Sequence, residues 1–306
     1  MEAIREAPGD DQRWAVYGDQ LQARGDVRGQ LIALGLAGKV RAERQLRNKR
    51  RAQLGASSLW EALDSKALHA TWRAGHFRRV RFMREQTPEL LDAILESPLA
   101  LALFALDLQL ADDETVVREA CDVLVRRQPP LRALEVSTTG LGGNLTPGVM
   151  LSKLTRLERA GLFGVGVFDA LRHARLESLT VWFNDWEGAP PCVLDTLDAP
   201  RLVELLLRTR YDATPPLTRW VRERCDTPSL RRLSIEAPVT SQLVDAIADA
   251  PFAARLERLE LLVIDEASAH ALLTRRSHLP RLESVNARFF RTSAAVEASV
   301  RAAFSA

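Results

Sequence analysis

The 306-residue chain is 46% apolar and 27% charged, with a formal net charge of +2. That balance describes a folded, soluble protein rather than a disordered one, and it gives no reason to expect wholesale binding to nucleic acid or to an anionic membrane. No stretch approaches 18 uninterrupted apolar residues, so no membrane span is expected, and the polar start "MEAIREAPGDDQ" lacks the apolar stretch of a signal peptide.

In chain order, residues 1–38 read as two short helices joined by "RGDVRG". Ile4, Trp14, Val16, Tyr17, Leu21, Leu31, Ile32 and Leu34 could form a small apolar pack there. Arg24, Gly25 and Asp26 spell an adhesion tripeptide, but a tight turn with Asp26 capping the next helix explains them better. Residues 39–54, "KVRAERQLRNKRRAQL", hold seven cations and one acid. As a functional feature, Arg41, Arg44, Arg47, Arg50 and Arg51 would be a patch for phosphate or an acidic partner. As a structural one, the segment is an exposed connecting helix, and it lacks the interleaved aromatics that would stack bases.

From Phe77 onward a motif recurs: an apolar residue, two of any kind, an apolar residue, one of any kind, an apolar residue. It starts at Phe77, Leu103, Leu131, Leu154 (degenerate), Leu176, Leu202, Leu230, Leu256 and Leu282, at spacings of 26, 28, 23, 22, 26, 28, 26 and 26 residues. Segments with helical spacing lie between, among them "TPELLDAILES", "DDETVVREACDVLVRR", "PPLTRWVRERC", "SQLVDAIADA", "DEASAHALLTRR" and "TSAAVEASVRAAF". Thr87 and Pro88 suit a helix start, and Arg126 and Arg127 suit a helix end. A strand–turn–helix unit of this length is the plan of an α/β leucine-rich-repeat solenoid, a horseshoe with a parallel concave sheet and convex helices. The expected organisation is a helical domain over 1–38, a basic connecting helix and cap over 39–76, and about nine repeats over 77–306.

Strand geometry sorts the residues. With the leading apolar residue as position 1, positions 1, 4 and 6 point into the core and positions 3, 5 and 7 point away from it. Only one copy fits the longer pattern, through Leu176, Leu179, Val181, Asn184 and Trp186. Asn184 reads as a buried amide bonding turn backbone and Trp186 as a core residue; Phe183 stays ambiguous. Position 7 runs Met83, Gln109, Ser137, Ala160, Trp182, Arg208, Glu236, Leu262, Arg288, and position 5 includes Arg81, Asp107, Glu135, Glu158, Thr180, Leu206, Ser234, Glu260 and Asn286. Both signs of charge are interspersed, which argues against a duplex-binding trough. Trp182, Leu206, Arg208, Thr180, Glu236 and Arg288 form the candidate partner-binding face, because an exposed Trp beside an apolar residue and an Arg has the composition of a protein–protein hot spot.

The N-terminal segment resembles the repeat-companion domain of planctomycetes and myxobacteria, which often precedes leucine-rich repeats. Ile4, Pro8, Asp10, Asp11, Val16, Tyr17, Asp19, Leu21, Arg24, Gly25, Asp26, Arg28 and Gly29 match its pattern; Gln20 and Gln30 stand where that family has Trp and Glu. The similarity covers about 35 residues, and "TWRAGHFRRVRF" resembles the way such proteins enter their first repeat. It implies an architecture and no reaction.

Enzyme signatures are not found. The five histidines include no HExxH and no metal pair at helical spacing, and His270 falls in a candidate helix. "GLFGVGVFDAL" offers Gly164 and Gly166, but Asp169 stands where a dinucleotide fingerprint needs Gly or Ala. "TTGLGGNLTPG" reads as a long repeat connection. Cys121, Cys192 and Cys225 are widely spaced without a CxxC and read as buried thiols in a reducing cytoplasm. The expectation is a cytoplasmic, non-catalytic adaptor, regulator or immunity-like factor with no metal or cofactor, binding a protein partner. The alternative is nucleic-acid association through residues 39–54 with Arg79 and Arg81.

Overall fold

The structure is a computed structural model that describes residues 2–85, 87–111, 113–138, 147–163, 171–183, 197–209, 214–223 and 227–304. It is an α/β protein with a mostly parallel sheet and flanking helices. Two compact units divide the chain, Met1–Ser137 and Thr138–Ala306. No helix among the described residues is long and apolar enough to cross a membrane.

The first unit begins with helices α1 (Glu2–Glu6), α2 (Asp11–Ala23), α3 (Val27–Leu36), α4 (Val40–Lys49), α5 (Arg51–Leu54) and α6 (Ser57–Asp64). Strands β1 (Leu68–Arg73) and β2 (His76–Phe82) come next, then α7 (Pro88–Glu96), β3 (Ala105–Leu110), α8 (Glu114–Arg127) and β4 (Ala133–Thr138). Asp10 and Asp26 cap α2 and α3 by accepting backbone N–H bonds. The adhesion tripeptide is thus the expected turn, with Gly25 at φ +70°. Helices α2 and α3 pack closely because glycines meet: a Cβ on Gly29 would lie 2.6 Å from both the Gln22 nitrogen and the Gly18 oxygen.

The N-terminal helices share their core with the β1–β2 hairpin and with the turn that leads into β3. Ile4, Trp14, Leu21 and Ile32 pack with Ala74 and Ala102, with Tyr17 and Leu36 at the margin. Ala74 and Gly75 form the tight turn of the hairpin, both at positive φ. A Cβ on Gly35 would lie 2.7 Å from the Ala74 Cα. Val16, expected in this pack, is instead exposed. β1 was not expected from the repeat, since it is antiparallel to β2 and has no place in a parallel array. β2 then pairs in parallel with β3.

The second unit holds α9 (Pro147–Lys153), β5 (Arg159–Phe163), β6 (Ser178–Phe183), β7 (Glu204–Thr209), α10 (Thr214–Glu223), β8 (Arg232–Val239), α11 (Ser241–Asp249), β9 (Arg258–Ile264), α12 (Glu266–Thr274), β10 (Ser284–Phe289) and α13 (Ala294–Ala303). Strands β5 to β10 lie side by side in chain order, and each adjacent pair is parallel. Leu176, Leu202, Leu230, Leu256 and Leu282 are buried, as are Leu179, Val181, Leu205, Leu207, Leu233, Ile235, Leu259 and Leu261 at positions 4 and 6. The alternation sends one side of each strand to the core, where about 25 cal/mol per Å² of buried apolar area favours the fold. Consecutive helices α10, α11, α12 and α13 pack on one another.

One register differs from expectation. Arg159 pairs with Ser178 and Phe163 with Trp182, so the copy read from Leu154 starts at Leu157. Ala160 is therefore a core residue, only 4% exposed, and Phe163 takes position 7. Leu154 is also buried, which is how a chance match arose three residues early. Asn184 and Trp186 lie outside the described residues, as do Gly164, Gly166, Asp169, Cys192 and Cys225, most of the 138–148 connection, and the Phe183 side chain.

Candidate functional site

The parallel register of β5 to β8 lines up one row of side chains on the sheet face opposite the core. Phe163 pairs with Trp182, Trp182 with Arg208, and Arg208 with Glu236. The Phe163 and Trp182 rings meet edge to face, 6.1 Å apart at 82°. The Arg208 guanidinium carbon lies 4.3 Å from the centre of the Trp182 ring, within cation–π range. Its Nε lies 3.1 Å from Glu236 Oε2. Two neighbours thus fix one long side chain, while half of the Arg208 side-chain surface stays exposed. Its planar fork has five donors, so the carboxylate uses only part of its capacity.

Thr180 and Leu206 pair on the adjacent row, both half-buried. Sequence reasoning placed Trp182, Arg208, Leu206, Thr180 and Glu236 together, and the structure brings these five onto adjacent strands. Arg288, on β10, is exposed but separated from Glu236 by β9. Exposed Leu262 lies on that intervening strand, beyond a register irregularity between Ile235 and Pro238. Phe163 was missed because of the shifted register; "LERAGL" from Leu157 carries the same apolar spacing and would have found it.

The corresponding face of the first unit is different. Asp107 accepts hydrogen bonds from Arg79 at 2.9 Å and from Arg81 at 2.7 Å, and Glu135 lies 3.8 Å from Arg79. The Asp107 carboxylate raises the Arg81 pKa further. Both arginines invoked for nucleic acid are thus already committed to a carboxylate.

The basic segment is also partly consumed. Arg47 is 8% exposed, bonds Glu43 at 2.8 Å and stacks 3.5 Å from the Trp72 ring centre. Burial pushes the Glu43 carboxyl up despite this partner, and it pushes Arg47 down. Arg51 is paired with Asp64 and lies over Trp60. The segment breaks at Arg50 into α4 and α5 instead of running as one exposed helix. Only Arg41, Arg44 and Arg50 of the expected patch are exposed.

His76 is fully buried beside Trp14, with ring centres 4.9 Å apart, and its Nδ1 lies 2.9 Å from the Ala74 carbonyl. Burial pulls its pKa down to about 4, so the ring is neutral at pH 7. His173 is buried, with its Nε2 3.0 Å from the Leu154 carbonyl, and His270 is exposed. Among the described residues no group of three or more His, Cys, Asp or Glu side chains is placed to hold a metal ion.

Neither protein-family models nor curated proteins match this chain. The functional reading therefore rests on the site itself.

Proposed function

We propose that the chain is a non-catalytic protein-interaction module, with an α/β leucine-rich-repeat solenoid entered through a helical segment of repeat-companion type. In this reading the parallel strands line a concave face, and the row Phe163, Trp182, Arg208 and Glu236 binds a protein partner in a reducing cytoplasm. The support for the solenoid is a repeat spacing of 26–28 residues at every step but the 19-residue one from Leu157 to Leu176, together with strands that follow chain order within each unit. The observation that carries the binding reading is the pre-positioned Arg208, held between an aromatic face and a carboxylate on an accessible surface. Trp and Arg are enriched among binding hot spots, and ordering them beforehand lowers the entropy cost of association. The partner expected is a protein segment presenting an apolar side chain to Trp182 and Leu206, with a carboxylate or carbonyl for the remaining Arg208 donors.

The test is affinity capture from the native host, comparing the wild type with the Trp182→Ala, Arg208→Ala double variant. A specific partner should be lost with the double variant while the melting temperature stays within a few degrees. Unchanged capture by the double variant would rule this face out.

A further inference from the structure

A second candidate site lies in the first unit, whereas the Trp182 row belongs to the second. Residues Pro8 and Gly9, between α1 and α2, overhang a cavity of about 360 Å³. Trp14, Phe77, Ala102 and Phe104 supply apolar walls, and Arg73, Arg78 and Arg132 supply three guanidiniums against the single carboxylate of Glu6. The volume falls at the small end of the range for ligand pockets, enough for one or two rings.

The three arginines differ in state. Arg73 donates to the Gly9 carbonyl and to Asp11, both at 2.7 Å, and Arg132 donates to the Glu6 carbonyl at 2.6 Å. These bonds tie two cations to the junction of α1 and α2. The Arg73 Nε is nevertheless buried with no acceptor among the described residues. A buried donor in that condition favours an incoming acceptor. Arg78 is exposed on β2 and, among the described residues, its side chain makes no hydrogen bond or ion pair. The cavity thus offers an aromatic and aliphatic body site next to an excess of positive charge.

We infer that this cavity binds a small aryl carboxylate, with the ring lying against half-buried Phe104 and the carboxylate on Arg78 and its neighbouring guanidiniums. A planar fork suits a carboxylate in a two-point contact. A neutral analogue of the same shape would lack that contact, and a small inorganic anion would leave the apolar walls unused.

The experiment is calorimetric titration of the full chain with 2-naphthoate, 2-naphthamide and inorganic phosphate. Saturable binding of 2-naphthoate is expected, with 2-naphthamide and phosphate each at least about tenfold weaker, a factor worth about 1.4 kcal/mol. Arg78→Ala should weaken 2-naphthoate at least about tenfold by the same conversion, with an unchanged melting temperature. If that variant does not fold, Arg78→Gln takes its place. Trp182→Ala, in the other unit, should bind 2-naphthoate as the wild type does, which separates this site from the proposed partner face. Equal affinity for the amide and the acid, equal affinity for phosphate alone, wild-type affinity in the folded Arg78 variants, or no saturable binding would each overturn the inference.

Discussion

Arg208 stands between two neighbours, with its guanidinium 4.3 Å from the Trp182 ring centre and its Nε 3.1 Å from Glu236. Both contacts are half-exposed, so their worth to stability is small: about 0.5–1 kcal/mol for the cation–π contact and under about 1 kcal/mol for the ion pair. A double-mutant cycle on Arg208→Ala and Glu236→Ala, read by urea denaturation, should give a coupling below about 1 kcal/mol that shrinks with salt. A larger coupling would mean that the pair holds the fold and not a surface.

The corrected register of β5 makes a sharp contrast between neighbours. Ala160 is buried and Phe163 is half-buried on the opposite face. Ala160→Arg should destabilise by several kcal/mol, because it buries a charge with no partner. Phe163→Arg should cost about 1 kcal/mol or less beyond the ring contact it removes. Thermal melts of the two variants check this, and the reverse order would restore the register starting at Leu154.

Leu205 is fully buried, whereas its sequence neighbour Leu206 is half-buried on the other side of the strand. Leu205→Ala should cost about 2–5 kcal/mol through the cavity it leaves. Leu206→Ala should cost far less and should weaken partner capture instead. Denaturant midpoints of the two variants settle the comparison.

The α2–α3 crossing depends on Gly29. Its added Cβ would meet backbone atoms at 2.6 Å, which cannot move aside as a flexible side chain would. Gly29→Ala should destabilise by about 1–3 kcal/mol, measured by calorimetric unfolding of the full chain.

His76 makes stability depend on pH. Its folded-state pKa is about 4 against an ordinary 6.5, so between these values the unfolded chain binds a proton that the folded chain refuses. Stability is therefore full above about pH 6.5 and falls as pH drops toward 4, by up to about 3 kcal/mol from this ring. Asp26 and Arg28 are the charges acting on it, and Asp26 itself is held below its ordinary value by Arg28. His76→Gln should flatten the urea midpoint between pH 5 and 7 relative to the wild type. An equally steep profile in the variant would assign the loss to other groups.

Much of the strand plan was legible because burial repeats at fixed sequence offsets. Leu176, Leu202, Leu230, Leu256 and Leu282 announce their strands, and each is buried. Helix starts were legible where chemistry marks them, as at Asp26 and at Asp265, which accepts from the Ser268 nitrogen. β1 was not legible, since its sheet partner is fixed by a two-residue turn at Ala74–Gly75 and by contact with α3, not by any repeat. The fate of the basic segment was equally hidden. Arg47 looks like its neighbours in sequence, and only tertiary packing sets Trp72 and Glu43 around it. The row at Trp182 was legible because two-residue alternation fixes a face, whereas the cavity beside Arg78 was not, because it draws on residues from 6 to 132.

The packing of Ile4, Trp14 and Ile32 against Ala74 and Ala102 bears on how such a chain could be recombined. A cut after residue 38 would strip the cover from the first hairpin and leave Trp14 and Ile32 in water on the other piece. The transplantable block is the helices together with the hairpin and the turn at Ala102 that seal them, so a chimera should place its junction beyond Ala102.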